Sequence, residues 1–297
     1  MEEPLLCKNN NRFVLFPIKY QRVWEYYKHH EQAFWTAEEI DFASDISDWE
    51  TLSYDEKTFI ENILAFFAGS DGIVFENINN NFAKEIQVPE IRCYYGFQAM
   101  MENILSEVYS MMIETYVKNN DRKTELFESI NRMPAIKKKA DWACQWLNSE
   151  IPFSERIVAF AIIEGIFFSG SFCSIFWLKN IKGKMTKALA KSNELIARDE
   201  SLHTEFAIHL YTSYVVNKLS QERIHEMFTE AINIEKEFIC DSLKCNLLGM
   251  NSLSMKEYIE FVSDRLLVQL GYTKLFNSKN PFSFMESICL DGKSNFF

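Results

Sequence analysis

A glutamate stands inside one of the longest apolar stretches of this chain, Ala-Phe-Ala-Ile-Ile-Glu-Gly-Ile-Phe-Phe around Glu164. An ionised carboxylate surrounded by hydrocarbon costs roughly several kcal/mol unless a counter-charge, a hydrogen-bond donor or a metal ion compensates it. Any fold of this sequence must therefore carry a partner to Glu164 through the middle of a core. The material for such a core is present, since 47% of the 297 residues are hydrophobic. Only 9 Gly and 6 Pro punctuate the chain. Long stretches run without a breaker, which argues against many short strands joined by tight turns and favours long helices. The expected class is all-α.

Residues 1–20 read as an extended N-terminal arm, in which Pro17 and the apolar Phe13-Val14-Leu15-Phe16 suggest packing on another surface. Helical periodicity begins near Arg22. A long helix over 55–82 shows a broad apolar stripe through Phe59, Ile63, Phe66, Phe67, Ile73 and Val74, and must tolerate Gly69 and Gly72. Pro89 followed by Glu90 signals the start of another, running to about 118. Shorter helices are expected over 122–131 and 135–147, and longer ones over 185–216, 221–241 and 254–270. The segment 153–178 is apolar nearly all round and predicts one central buried helix. No repeat, linker or low-complexity stretch divides the chain, so one domain over 1–297 is expected.

The formal net charge is −11 and no Lys/Arg block stands out, which argues against a nucleic-acid ligand. The 7 cysteines are scattered, odd in number and free of any Cys-x-x-Cys, so neither a disulfide framework nor a zinc site is expected. The polar N-terminus lacks an apolar signal region, and no uninterrupted apolar run reaches membrane-spanning length. These features predict a soluble cytoplasmic protein.

Two short segments carry the chemistry. In Glu200-Ser-Leu-His203 the carboxylate and imidazole lie three residues apart, hence on one helical face. Glu102-Asn-Ile-Leu105 looks like a copy with its histidine replaced by leucine. Two Glu-x-x-His pairs, with one further carboxylate from each of two other helices, build the di-metal site of ferritin-like carboxylate bundles. Glu164 and Asp71 are the candidate further carboxylates. Asp71, in Ala-Gly-Ser-Asp-Gly-Ile-Val, fits a helix cap or bend as readily when taken alone. A lone Glu-x-x-His is weak evidence. Carboxylates and a histidine spread over four predicted long helices are stronger, because two cations in a dry core need anionic oxygens to bridge and balance them. Tyr109 follows Glu102 by seven positions on the same face. Phe168 and Phe172 follow Glu164 by one and two turns, and Ile196 precedes Glu200 by one. Spacing does not decide whether these are plain core or an apolar shell that shields an oxidant.

Longer matches accompany these residues: Asn-Arg-Phe-Val-Leu-Phe-Pro-Ile from Asn11, Phe-Trp-Thr-Ala-Glu-Glu-Ile-Asp from Phe34 and Leu-Ala-Phe-Phe-Ala-Gly-Ser-Asp-Gly-Ile-Val from Leu64. Further along come Tyr-Gly-Phe-Gln from Tyr95, Ala-Asp-Trp-Ala from Ala140, Glu-Gly-Ile-Phe-Phe-Ser-Gly-Ser-Phe from Glu164, Arg-Asp-Glu-Ser-Leu-His from Arg198 and Asn-Pro-Phe-Ser-Phe-Met-Glu from Asn280. With them the chain resembles, over essentially its whole length, the small subunit of eukaryotic-type class I ribonucleotide reductase.

The resemblance implies a ferritin-like helical bundle and a non-haem di-iron centre that reacts with O₂ and oxidises a nearby tyrosine to a stable radical. It implies Asp71, Glu102, Glu164, Glu200 and His203 as metal ligands and Tyr109 as the radical tyrosine. Trp35 and Asp199 match a relay towards the large subunit, where ribonucleotides are reduced, and Phe168, Phe172 and Ile196 match the pocket around the tyrosine. The departure is Leu105, which stands where the family has a histidine ligand that also joins the iron to the relay. Leucine has no lone pair. A weakened or half-empty centre and an interrupted relay are therefore expected, with Asp199 short of a donor at a place where an unpaired carboxylate is costly.

Family members continue past the match at 295–297 with a tail that docks into the large subunit, and the resemblance leaves open whether this chain carries that handle. The expected role is an auxiliary small subunit, dimeric with itself or with an intact paralogue. A fully active radical generator and a ferritin-like iron-handling or structural protein are the alternatives.

Overall fold

The computed structural model describes residues 2–290 and is helical, with no strand among them. Its long helices are α1 (Gln21–Gln32), α2 (Tyr54–Asn77), α3 (Pro89–Tyr116), α4 (Pro134–Gln145), α5 (Phe153–Ile166), α6 (Ser169–Asn180), α7 (Ala188–Tyr214), α8 (Gln221–Lys236) and α9 (Ser252–Gln269). Their starts have local causes. Ser53 and Glu56 form a reciprocal capping box before α2, Pro89 opens α3, and Ser220 and Asn251 accept from the first turns of α8 and α9. α2 and α8 each run on into a π-helical turn, Ile78–Phe82 and Glu237–Ser242. The stretch expected as one helix over 122–131 divides at Glu128 into Asn120–Phe127 and Ser129–Arg132.

The second short piece lies against α2. A Cβ on Gly69 would stand 2.9 Å from Ile130 Cδ1, and Ser129 Oγ donates to the Ala65 carbonyl at 3.0 Å. A larger residue at Gly69 would require the Ile130 side chain to shift.

α3 packs along α2 and α1, and α7 packs along α5. With α8 and α9 also against it, α5 is the centre of the bundle, and all of its residues except Glu155 are buried. Two helical stretches, Tyr54–Glu85 and Phe153–Asn180, are long and apolar enough by length and composition to cross a bilayer, although charged residues interrupt both. The apolar window of the second is 100% buried inside the fold and that of the first 50%, as in core helices.

The continuous helix expected over 153–178 is broken at Phe167–Phe168 into α5 and α6. The reason is a buried ion pair that takes up the backbone groups freed by the break. Lys139 Nζ lies 2.5 Å from Glu235 Oε2 and donates to the Phe167 carbonyl at 2.5 Å, while the Gly170 N–H donates to Glu235 Oε1 at 3.2 Å. A Cβ on Gly170 would meet that oxygen at 2.7 Å. The ammonium also sits over the rings of Phe66 and Phe238, 3.7 and 4.0 Å from their centroids. Burial lowers Lys139 to about 8 and raises Glu235 to about 7, outweighing their mutual attraction.

The N-terminal arm is tied down differently from the sequence reading. Leu5 is buried, its carbonyl accepts from Gln87 N–H at 2.9 Å, and Glu3 accepts from the Val216 and Asn217 N–H groups. Phe13, Val14 and Phe16 are exposed, at 77%, 62% and 65%. The motif at 295–297 lies outside the described residues.

Removing one member of a buried ion pair leaves the other uncompensated, so Lys139→Met is expected to cost about 3–5 kcal/mol at pH 8. The loss should be smaller at pH 6, where Glu235 takes up a proton, and the double variant with Glu235→Leu should recover much of it. Urea unfolding at both pH values measures this.

Candidate metal centre

Four helices deliver the expected side chains to the interior, α2 with Asp71, α3 with Glu102, α5 with Glu164, and α7 with Glu200 and His203, all at most 1% exposed. Ligand atoms of Glu102, Glu164, Glu200 and His203 lie within 4.8 Å of one another. His203 Nδ1 is 3.2 Å from Glu102 Oε1, 3.4 Å from Glu200 Oε2 and 3.8 Å from Glu164 Oε2. Asp71 is outside this tightest group, yet its charge acts on Glu102 and Glu164 and is itself acted on by Glu200.

Burial among neighbouring acids pushes these carboxyls towards the protonated form. Burial, reinforced by Glu200, raises Asp71 well above the usual carboxylate range. Burial and the neighbouring acids do the same to Glu102 and Glu200, and Glu164 is pushed up to about 7, chiefly by burial. One donor is supplied: Gln98 Nε2 reaches Glu102 Oε1 at 3.3 Å and Glu164 Oε1 at 3.1 Å. Both Asp71 oxygens, one oxygen on each glutamate and His203 Nδ1 are buried without a hydrogen-bond partner. Unsatisfied buried acceptors are rare and costly. Here they converge, and a set of carboxylate oxygens with one imidazole nitrogen suits a first-row divalent metal. The residues fit such an ion.

Leu105 is fully buried on α3, three positions from Glu102, and brings hydrocarbon where a histidine would bring a donor atom. Asp199, however, is not left unpartnered. Trp35 Nε1 donates to its Oδ2 at 2.7 Å, and Arg198 Nε and Nη2 donate to Oδ1 at 3.2 and 3.0 Å. Arg198 also donates to the Ala33 carbonyl at 2.6 Å, which fastens α7 to the segment carrying Trp35. Asp199 is thus partnered rather than orphaned, Arg198 supplying charge-assisted hydrogen bonds, although burial outweighs them and still raises its carboxyl above the usual carboxylate range.

Tyr109 has a buried hydroxyl without a partner and is raised well above its ordinary value by burial, with Asp71 and Glu200 adding to the effect. Its ring lies on Phe67, centroids 4.5 Å apart. Phe67 in turn contacts Phe168 at 5.6 Å and Phe172 at 5.3 Å, and Ile196 is fully buried. The sequence reading placed Phe67 only in a core stripe. It missed two other neighbours of the centre. Gln98 stands one turn before Glu102, a spacing that could have pointed to it. His30 on α1 is 1% exposed, with Nε2 3.3 Å from His203 Nε2. The signal for His30 was its distance of seven residues from Val23, the other buried residue of α1.

Metal-free, the centre should bind protons. Glu164, raised from 4.5 to about 7, contributes stability that is fully present below its ordinary value and lost as pH rises through about 7. The melting temperature of the metal-free protein is expected to fall from pH 6 to pH 8, with a shallower slope for Glu164→Gln. Because ligands must be deprotonated to bind, added Mn(II) should stabilise more at pH 8 than at pH 6. Thermal unfolding with and without the ion checks both.

The profile of the family described as "Ribonucleotide reductase, small chain" matches residues 12–281. The ribonucleoside-diphosphate reductase small chain of Trypanosoma brucei brucei is 57% identical over 297 residues, covering 100% of this chain and 88% of that protein. The human ribonucleoside-diphosphate reductase subunit M2 is 53% identical, covering 100% of this chain and 76% of its own. Among solved structures, the ribonucleotide reductase Rnr4 homodimer of Saccharomyces cerevisiae superposes with a TM-score of 0.88 at 44% identity, covering 96% of this chain and 90% of that one.

Proposed function

As this chain belongs to the ribonucleotide reductase small-chain family, we propose that it serves as an auxiliary small subunit supporting deoxyribonucleotide synthesis, with its own radical-forming centre weakened by Leu105. The observation that carries this reading is the group of buried, partnerless carboxylate oxygens and the His203 nitrogen converging from three helices, with the unpartnered Asp71 of a fourth acting on them. In this reading Glu164, Glu200 and His203 hold one metal ion through oxygen and nitrogen. Asp71 and Glu102 hold a second through oxygen alone, and so more weakly. Iron bound there would supply the one-electron oxidising power that the family's chemistry requires.

The remaining roles belong to protein groups. Tyr109, with its buried hydroxyl and the Phe67 ring against it, is the tyrosine to be oxidised, and Phe67, Phe168, Phe172 and Ile196 keep water from it. Trp35, hydrogen-bonded to Asp199, forms the relay that carries the oxidising equivalent outwards. The proposed partners are the large subunit and a second small subunit, either a copy of this chain or an intact paralogue. A dimer is supported by the yeast relative, which was solved as a homodimer. One ferritin-like unit over the whole chain, with an arm at 1–20 and a cytoplasmic location, completes the proposal.

A second reading, a fully active subunit, is favoured by one observation. The Trp35–Asp199 hydrogen bond is intact and Asp199 is satisfied by Arg198. Leu105→His separates the two. Under the auxiliary reading the parent chain holds about one tightly bound metal ion or none, and Leu105→His raises the iron content and yields a tyrosyl signal in electron paramagnetic resonance that Tyr109→Phe abolishes. Leu105→Ala, which only opens a cavity, should do neither. Two irons per chain and a full radical signal in the parent would establish the active subunit instead.

A further inference from the structure

His30 is the one side chain of α1 that reaches the candidate centre, and nothing in the proposed set of ligands uses it. Its ring lies 4.9 Å from that of His203, centroid to centroid, and is held between Phe97 at 4.9 Å and Tyr94 at 5.4 Å. The two imidazoles face each other through Nε2, 3.3 Å apart. A contact of that length between two ring nitrogens is a hydrogen bond only when one carries a proton and the other a lone pair.

Which nitrogen carries the proton follows from the other side of His203. Its Nδ1 points at Glu102, Glu200 and Glu164, and a metal ion held there needs the Nδ1 lone pair. The His203 proton must then sit on Nε2 and be donated to His30. His30 in turn must present its Nε2 lone pair and carry its own proton on Nδ1. Metal-bound histidines generally donate their second N–H to a carboxylate, a backbone carbonyl or water, and that bond sets the tautomer and the ring orientation. Here a second, buried imidazole occupies the place. Being neutral, it orients His203 without adding another negative charge to a core that already holds Asp71, Glu102, Glu164 and Glu200.

We propose that His30 is a positioning residue for the centre, accepting the Nε2 hydrogen bond of His203 and thereby holding the His203 Nδ1 lone pair towards the metal. This rests on the metal-centre reading above. The test uses the full chain stripped of metal and titrated with Mn(II), following the unbound ion by electron paramagnetic resonance, for the parent, His30→Leu and His30→Gln. Leucine fills the space without an acceptor, whereas the glutamine amide oxygen can accept.

His30→Leu is expected to weaken Mn(II) binding about 10- to 100-fold, the range typical for losing an outer partner of a ligand. His30→Gln should remain within about threefold of the parent, as an acceptor is retained. Equal binding by His30→Leu and the parent would overturn the proposal, and so would an equal loss in both variants, which would make the contact mere packing. If His30→Leu does not fold, nitrogen-15 spectra of the parent loaded with diamagnetic Zn(II) still decide. They should show His30 as the Nδ1–H tautomer, and an Nε2–H tautomer would reject the idea. A parent that binds neither ion would sink the metal-centre reading itself, and this inference with it.

Discussion

The interior of this protein depends on one constraint, four carboxylic acids buried together with too few hydrogen-bond donors for their oxygens. Glu102, Glu164 and Glu200 converge with Asp71 beside them, and none is more than 1% exposed. Burial first, and the neighbouring acids after it, raise all four above the usual carboxylate range. A cation bound there would compensate the same buried acids, so in the proposed reading they define the ligand of the site. The neighbours conform to this. Gln98 brings a neutral donor, His30 a neutral imidazole, and the arginine of the region, Arg198, is spent on Asp199 at the edge of the group.

A second buried charge set, an ion pair, lies at the end of the helix that carries Glu164. α5 carries Glu164 and ends shortly after it, because the backbone breaks at Phe167–Phe168. Lys139 from α4 and Glu235 from α8 take the freed carbonyl and N–H, and so join four helices, α4, α5, α6 and α8, at the break. One buried charge set is left open to a metal and the other is closed on itself. The difference is stoichiometric: Lys139 matches Glu235 one to one, whereas His203 faces several acids.

Leu105 has to be weighed within this setting. A leucine three residues after Glu102 puts hydrocarbon on that face of the helix, while the hydrogen bonds beside it are in order, since Trp35 and Arg198 reach both oxygens of Asp199. Tyr109 and the Phe67 ring against it are likewise in place. In the proposed reading any change is confined to one position, the situation in which a single substitution to histidine is informative.

Much of this was legible in the chain. Helical period and scarce breakers determined the all-α class and most helix limits, because both act through local backbone geometry. Glu164 in its apolar run, the Glu200/His203 spacing and the motif matches determined the family and the members of the candidate centre. Tertiary structure alone decided the rest. The break after Glu164 is only partly written in local sequence: Ser169 donates to the Ile166 carbonyl, but Lys139 and Glu235 arrive from other helices. Arg198 pairing Asp199, Phe67 covering Tyr109, the exposure of Phe13 and Phe16, and His30 meeting His203 are likewise contacts between elements distant along the chain. Periodicity tells which face of a helix is buried, but only packing determines what that face meets.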